Sequence, residues 1–106
     1  MNIFDFFKGP DINQGVSMYK DTKGAVLIDV REQDEYGSGH IPGSKNVPLS
    51  SIGMISNVAP DKNTPLFVYC LSGGRSSSAT SALVKMGYTA VNNIGGISGY
   101  TGSVEH

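Results

Sequence analysis

The stretch Leu66-Phe67-Val68-Tyr69-Cys70-Leu71-Ser72-Gly73-Gly74-Arg75-Ser76, running on to Met86, constrains this chain most. Leu66-Phe67-Val68-Tyr69 is a short, continuous apolar run rich in β-formers, which suits a strand buried on both faces. Two glycines then interrupt it. From Ser76 the period changes: Ala79, Ala82, Leu83 and Met86 fall at i, i+3, i+4 and i+7, one face of a helix, with serines opposite and Gly87 as a stop. The chain's one cysteine stands where strand gives way to loop. A loop between a strand end and a helix N-terminus aims backbone N–H groups and the positive end of the helix dipole at one spot. Gly73 and Gly74 permit positive φ, so the amides can converge into an anion nest. A thiol there is expected to ionise more readily than a free cysteine. Arg75 closes the loop with a permanent charge.

Size and charge limit the rest. At 106 residues the chain is one domain with a modest core. Apolar residues make up 39% and charged residues 16%, a globular balance. A net charge of −1 gives no electrostatic reason to expect nucleic acid or a membrane surface as partner. A single cysteine makes no internal disulfide, which fits a reducing, cytoplasmic setting. No apolar run approaches the length of a membrane span. Met1-Asn2-Ile3-Phe4-Asp5-Phe6-Phe7-Lys8 has no basic start, long apolar centre or small-residue cleavage site, so it does not read as a secretory signal. A short helix docking its phenylalanines on the domain is expected; an exposed contact patch is the rival reading.

Taken in order, Gly9-Pro10 breaks any first helix. Asp11-Ile12 reads as a short edge strand and Asn13 as the N-cap of a helix reaching Lys20, with Val16 and Tyr19 on its inner face. Ala25-Val26-Leu27-Ile28-Asp29-Val30 is a second buried-type strand, ending in an acid and then Arg31. A helical turn or two from Glu32 stops at Gly37-Ser38-Gly39. His40-Ile41-Pro42-Gly43-Ser44 is a rigid connection. Asn46-Val47-Pro48 is a short strand with proline at its end. Ile52, Ile55 and Val58 mark a further helix. Tyr88-Thr89-Ala90-Val91 starts the last strand, Gly95-Gly96 turns the chain, and one helical turn follows. Strands alternating with helices predict an α/β fold with a mainly parallel sheet and helices on both faces. Ligands of such sheets bind beyond the C-terminal strand ends, where Cys70, Asp29 and Arg31 fall.

These residues resemble the rhodanese family of single-domain sulfurtransferases. Two segments carry the likeness. One is Ile28-Asp29-Val30-Arg31-Glu32 with Glu35-Tyr36 and Gly39-His40-Ile41-Pro42-Gly43-Ser44-Lys45-Asn46-Val47-Pro48. The other is Val68-Tyr69-Cys70-Leu71-Ser72-Gly73-Gly74-Arg75-Ser76 with Gly95-Gly96-Ile97. The likeness covers about residues 11–101. It implies a small α/β domain that carries a sulfane sulfur as a persulfide on Cys70. The active loop would be residues 70–75, with Leu71, Ser72, Gly73, Gly74, Arg75 and the adjoining Ser76 around the donor. Tyr100 stands where many members have tryptophan and is expected to fill the same packing role.

The expected chemistry is double displacement by covalent catalysis: Cys70 thiolate takes the outer sulfur of thiosulfate or another donor and passes it to a thiol or cyanide. Loop amides hold the anion, so no separate base and no cofactor are expected. Arg75 would attract the dianionic donor or fix the loop. Asp29 and Arg31 are read as an ion pair or hydrogen-bond anchor beneath the loop, or else as tuning the charge of the cleft. His40 is read as structural, packing the Pro42-Gly43 bend, and His106 as terminal and disordered. Two histidines and one cysteine show no metal-ligand spacing. Cysteine phosphatases use a similar cradle with five residues between cysteine and arginine; the four here suit a smaller pocket. The other rival is a sulfur-carrier or redox-sensing module that serves a protein, with a cysteine desulfurase or a thioredoxin-like protein as partner by analogy.

Overall fold

The buried apolar runs pair as parallel strands, an arrangement that needs both faces of the sheet covered. The computed structural model describes residues 10–106; the expectation for the first eight residues lies outside them. In chain order the elements are α1 (Ile12–Asp21), β1 (Val26–Asp29), α2 (Gln33–Ser38), β2 (Lys45–Asn46), a 3-10 segment (Leu49–Asn57), β3 (Leu66–Cys70), α3 (Gly74–Lys85), β4 (Val91–Gly96) and a 3-10 turn (Ile97–Gly99). Among the described residues the sheet has four strands in the order β2-β1-β3-β4, all parallel.

β3 is central and buried along its whole length. Its alternation splits the core in two. Leu66, Val68 and Cys70 join Ile28, Val30, Ile55, Ala79 and Leu83 on the side of α3 and the first 3-10 segment. Phe67 and Tyr69 join Ile12, Val16, Leu27, Ile41 and Ile94 on the side of α1, with Tyr100 packed alongside. Helices therefore cover both faces. Each fully buried Leu, Ile or Val is worth about 1.5–3 kcal/mol against exposure, so both faces are needed to fix the sheet.

Several boundaries differ from the sequence reading. Residues 11–12 do not form a strand. Asp11 is the N-cap of α1, accepting from the Asn13 and Gln14 amides at 3.0 and 3.5 Å, and Ile12 enters the core one turn before Val16. Asn13 instead ties the C-terminal region down: its Nδ2 donates to Gly99 O, and its Oδ1 accepts from Thr101 N, both at 3.0 Å. The helix predicted around Ile52 and Ile55 is 3-10, with Ser51 outside helical geometry. Apolar residues three apart line one edge of a 3-10 turn, and the chain then turns so that Ala59, not Val58, is buried. The last strand begins at Val91; Tyr88 is buried ahead of it, its hydroxyl donating to Ala59 O at 2.6 Å. Beyond residue 101, Glu105 exchanges two backbone hydrogen bonds with His40, and the His106 ring lies beside Gly39 rather than trailing free.

Candidate active site

Strand parity decides where Cys70 points. It shares the face of Leu66 and Val68, so its sulfur lies against the start of α3. α3 begins at Gly74, two residues earlier than its apolar periodicity suggests, which puts Arg75 and Ser76 in its first turn. Of the two loop glycines only Gly73 has positive φ (110°). That conformation swings its N–H onto Cys70 Sγ at 3.0 Å, and the Ser76 N–H reaches the same sulfur at 3.3 Å. The Ser76 hydroxyl stands 3.5 Å from it. Burial pushes the Cys70 thiol up, but hydrogen bonds from the Ser76 hydroxyl and the amides of Ser76, Gly73 and Ser72 outweigh it, leaving the thiol below its ordinary value. The residue is only 1% exposed, so its sulfur is shielded from solvent.

Gly95-Gly96 does not turn the chain. It closes β4, past a register shift opposite Val68/Tyr69, and passes directly under the active loop. A Cβ on Gly96 would stand 2.1 Å from Leu71 O and 2.6 Å from Ser72 Cα. Leu71 O is held by the Ser98 N–H at 3.1 Å. The loop thus rests on a strand that needs glycine.

Arg75 is committed elsewhere. Its guanidinium makes a bidentate pair with Glu35 of α2, at 2.7 and 3.0 Å. The Arg75 hydrogen bonds hold Glu35 at about 2, well below the usual carboxylate range, and the Glu32 N–H on the same carboxylate adds to the shift. Of the two roles read for Arg75, attracting the donor or fixing the loop, the pair with Glu35 bears on the second: it ties the first turn of α3 to α2. Glu35 stands out in the sequence only within the family resemblance; its pairing with Arg75 is not legible there because 40 residues separate the partners.

Asp29 and Arg31 do pair, but not beneath the loop. Asp29 is in register with Tyr69, on the α1 face, away from Cys70. Its carboxylate accepts from Arg31 Nε at 3.1 Å, Nη2 at 2.7 Å and backbone N at 2.9 Å. Arg31 Nη2 also donates to Gly39 O at 2.7 Å, and the guanidinium lies over the Tyr69 ring. Buried Tyr69 receives the Ile41 N–H and bonds Ser44 Oγ, and burial raises its phenol. His40 stacks on Tyr36 at 3.7 Å, with Nδ1 on Tyr36 O. This half of the site region is a clamp on residues 39–46.

Sequence reasoning also missed Asn93. Its Oδ1 lies 2.8 Å from Ser76 Oγ. Two asparagines in a strand, where that residue is depleted, were the available signal. A groove of about 190 Å³ between α1 and β4, lined by Gln14, Met18, Phe67 and Asn92, does not include Cys70. Among the described residues no three His, Cys, Asp or Glu side chains gather as a metal site, and no helix is long and apolar enough to cross a membrane.

A strand-end cysteine cradled by the next helix's first turn defines a class of α/β domains, and comparison places this one within it. The family model described as Rhodanese-like domain matches residues 14–103. The thiosulfate sulfurtransferase PspE of Escherichia coli is 42% identical over 71 residues, covering 66% of this chain and 68% of that protein. A putative mitochondrial thiosulfate sulfurtransferase of Schizosaccharomyces pombe is 36% identical over 115 residues, covering 97% of this chain and 75% of that protein. The solved structure of a rhodanese with anions from E. coli matches with TM-score 0.72 and 36% identity, over 76% of this chain and 96% of that one. The chain belongs to the rhodanese-like domain family.

Proposed function

We propose that this domain is a sulfurtransferase that moves a sulfane sulfur from thiosulfate or a related donor to a thiophilic acceptor through a Cys70 persulfide. The observation that carries this reading is the pair of N–H groups, from Gly73 and Ser76, converging on a buried sulfur at the N-terminus of α3. Cys70 thiolate attacks the outer sulfur of thiosulfate. A new S–S bond forms between Cys70 Sγ and the donor's outer sulfur as the donor's own S–S bond breaks, and sulfite leaves with its electron pair. The persulfide anion takes up the same amide hydrogen bonds. Cyanide or a thiolate then attacks the terminal sulfur, and Cys70 leaves as thiolate. Charge and atoms balance with no cofactor and no external base. The catalytic residue is Cys70; Leu71, Ser72, Gly73, Gly74 and Ser76 form its wall.

The test is intact mass after incubation with thiosulfate, then addition of cyanide. A gain of one sulfur, absent in Cys70→Ser and released by cyanide as thiocyanate, supports the reading.

A second reading, a carrier loaded by a protein donor such as a cysteine desulfurase, is favoured by two features. Arg75 is neutralised by Glu35, and Leu71 presents an apolar side chain, 45% exposed, beside the cysteine. A mass gain from the protein donor but none from thiosulfate selects it. A gain from neither donor ends both.

A further inference from the structure

The Ser76 hydroxyl has one proton and more acceptors than that proton can serve. Its Oγ lies 2.8 Å from Asn93 Oδ1, 3.0 Å from Gly73 O, 3.4 Å from Gly95 O and 3.5 Å from Cys70 Sγ. Ser76 is fully buried. Gly73 O already accepts the Ser77 N–H at 3.1 Å. Asn93 Oδ1 is nearest, at the ordinary length of an O–H···O bond. Its orientation is fixed independently: the Gly95 N–H donates to the same oxygen at 3.1 Å, and a flipped amide would set NH₂ against N–H.

We propose that Asn93 is a positioning residue that acts on Cys70 through Ser76, accepting the hydroxyl proton while the sulfur is a thiol and yielding it when the sulfur is an anion. The inference rests on the reading of Cys70 as the sulfur nucleophile. In the thiol state S–H donates to Ser76 Oγ and the hydroxyl donates to Asn93. On ionisation the sulfur proton leaves to solvent, and the hydroxyl proton only rotates, now donating to thiolate or persulfide. A charge-assisted hydrogen bond is the stronger one, so the sulfur wins the competition. Asn93 still charges for that rotation, because its oxygen is left facing the Ser76 lone pairs. It therefore sets how readily the sulfur becomes an anion.

The charged groups around the sulfur do not substitute for this contact. α3 contributes Arg75, which is paired with Glu35 of α2, and Glu32 precedes that helix. β1 ends in the Asp29–Arg31 pair on the opposite face. β4, reading Val-Asn-Asn-Ile-Gly-Gly, contributes no charge.

The experiment is the pH dependence of Cys70 alkylation by iodoacetamide in the full chain. Asn93→Leu keeps the branching at Cγ and removes the acceptor. Its profile should move to lower pH, with alkylation on the acid limb roughly 2- to 10-fold faster, the span of one neutral hydrogen bond. In a Ser76→Ala background the same substitution should have no effect. Asn93→Asp keeps both acceptor contacts and so guards against a folding failure; its profile should move to higher pH, and by less when the hydroxyl is absent. No shift in the single variants, or equal shifts with and without Ser76, overturns the proposal. Alkylation needs no sulfur donor. A chain with the hydroxyl-dependent shift that takes sulfur from no donor would retire the sulfurtransferase reading alone.

Discussion

Two strands end side by side in this sheet and handle charge in opposite ways. At the end of β1, the Asp29 carboxylate and the Arg31 guanidinium are buried against each other, and their donors and acceptors are satisfied by fixed partners. At the end of β3, the hydrogen bonds on Cys70 come from neutral dipoles: the amides of Gly73, Ser76 and Ser72 and one hydroxyl. A permanent buried charge needs a permanent counter-charge, because desolvation is otherwise ruinous. On the proposed mechanism Cys70 is an anion throughout, as thiolate and then as persulfide, and must stay reactive, which a fixed counter-charge serves poorly. A bound cation would hold the thiolate too firmly, and nucleophilicity falls with pKa. Glu35 draws Arg75 away and leaves the moderate field of the loop.

The largest way to break this contrast is Asp29→Ala. It leaves Arg31 buried with no carboxylate, and unfolding in urea should show a loss of about 3–5 kcal/mol. The Cys70 alkylation profile of the folded variant should not move. A profile displaced as far as in the Asn93 variants would show that the two strand ends are not independent.

Gly96→Ala addresses the other end. The new methyl collides with Leu71 O, so the loop must shift. Stability should fall by about 1–3 kcal/mol, and the rate of persulfide loading by roughly 100-fold, the scale of a misplaced catalytic group. Loading that falls no further than stability explains would mean the loop tolerates displacement.

Glu35→Gln has the smallest expected effect and sharpens the contrast most. Glu35 has its folded value depressed to about 2, chiefly by Arg75. Its stabilisation is therefore present above the ordinary carboxylate value and lost as pH falls toward about 2. Since both partners are partly solvated, it should be under about 1 kcal/mol. The variant should flatten stability across that window. It should also free Arg75, raising kcat/KM for the thiosulfate dianion severalfold at low salt, with the gain lost at high salt. An unchanged kcat/KM would show that Arg75 has no reach to the donor.

Legible before any folding were the alternation of strands and helices, the parallel sheet with two covered faces, and the placing of Cys70 at a strand end before a helix. Hydrophobic period and glycine placement are local, so they survive in one dimension. Capping was less legible. Asp11 and Asn13 are both good caps, and the choice fell to the residue that let Ile12 reach the core. The tertiary structure alone decided the rest: Glu35 on Arg75, Asn93 on Ser76, Gly96 under Leu71, and the Asp29–Arg31 pair on the far face from the cysteine. Each depends on strand register or on where a distant element docks. Local propensity contains neither, because a one-residue change in register turns every side chain of a strand to the opposite face.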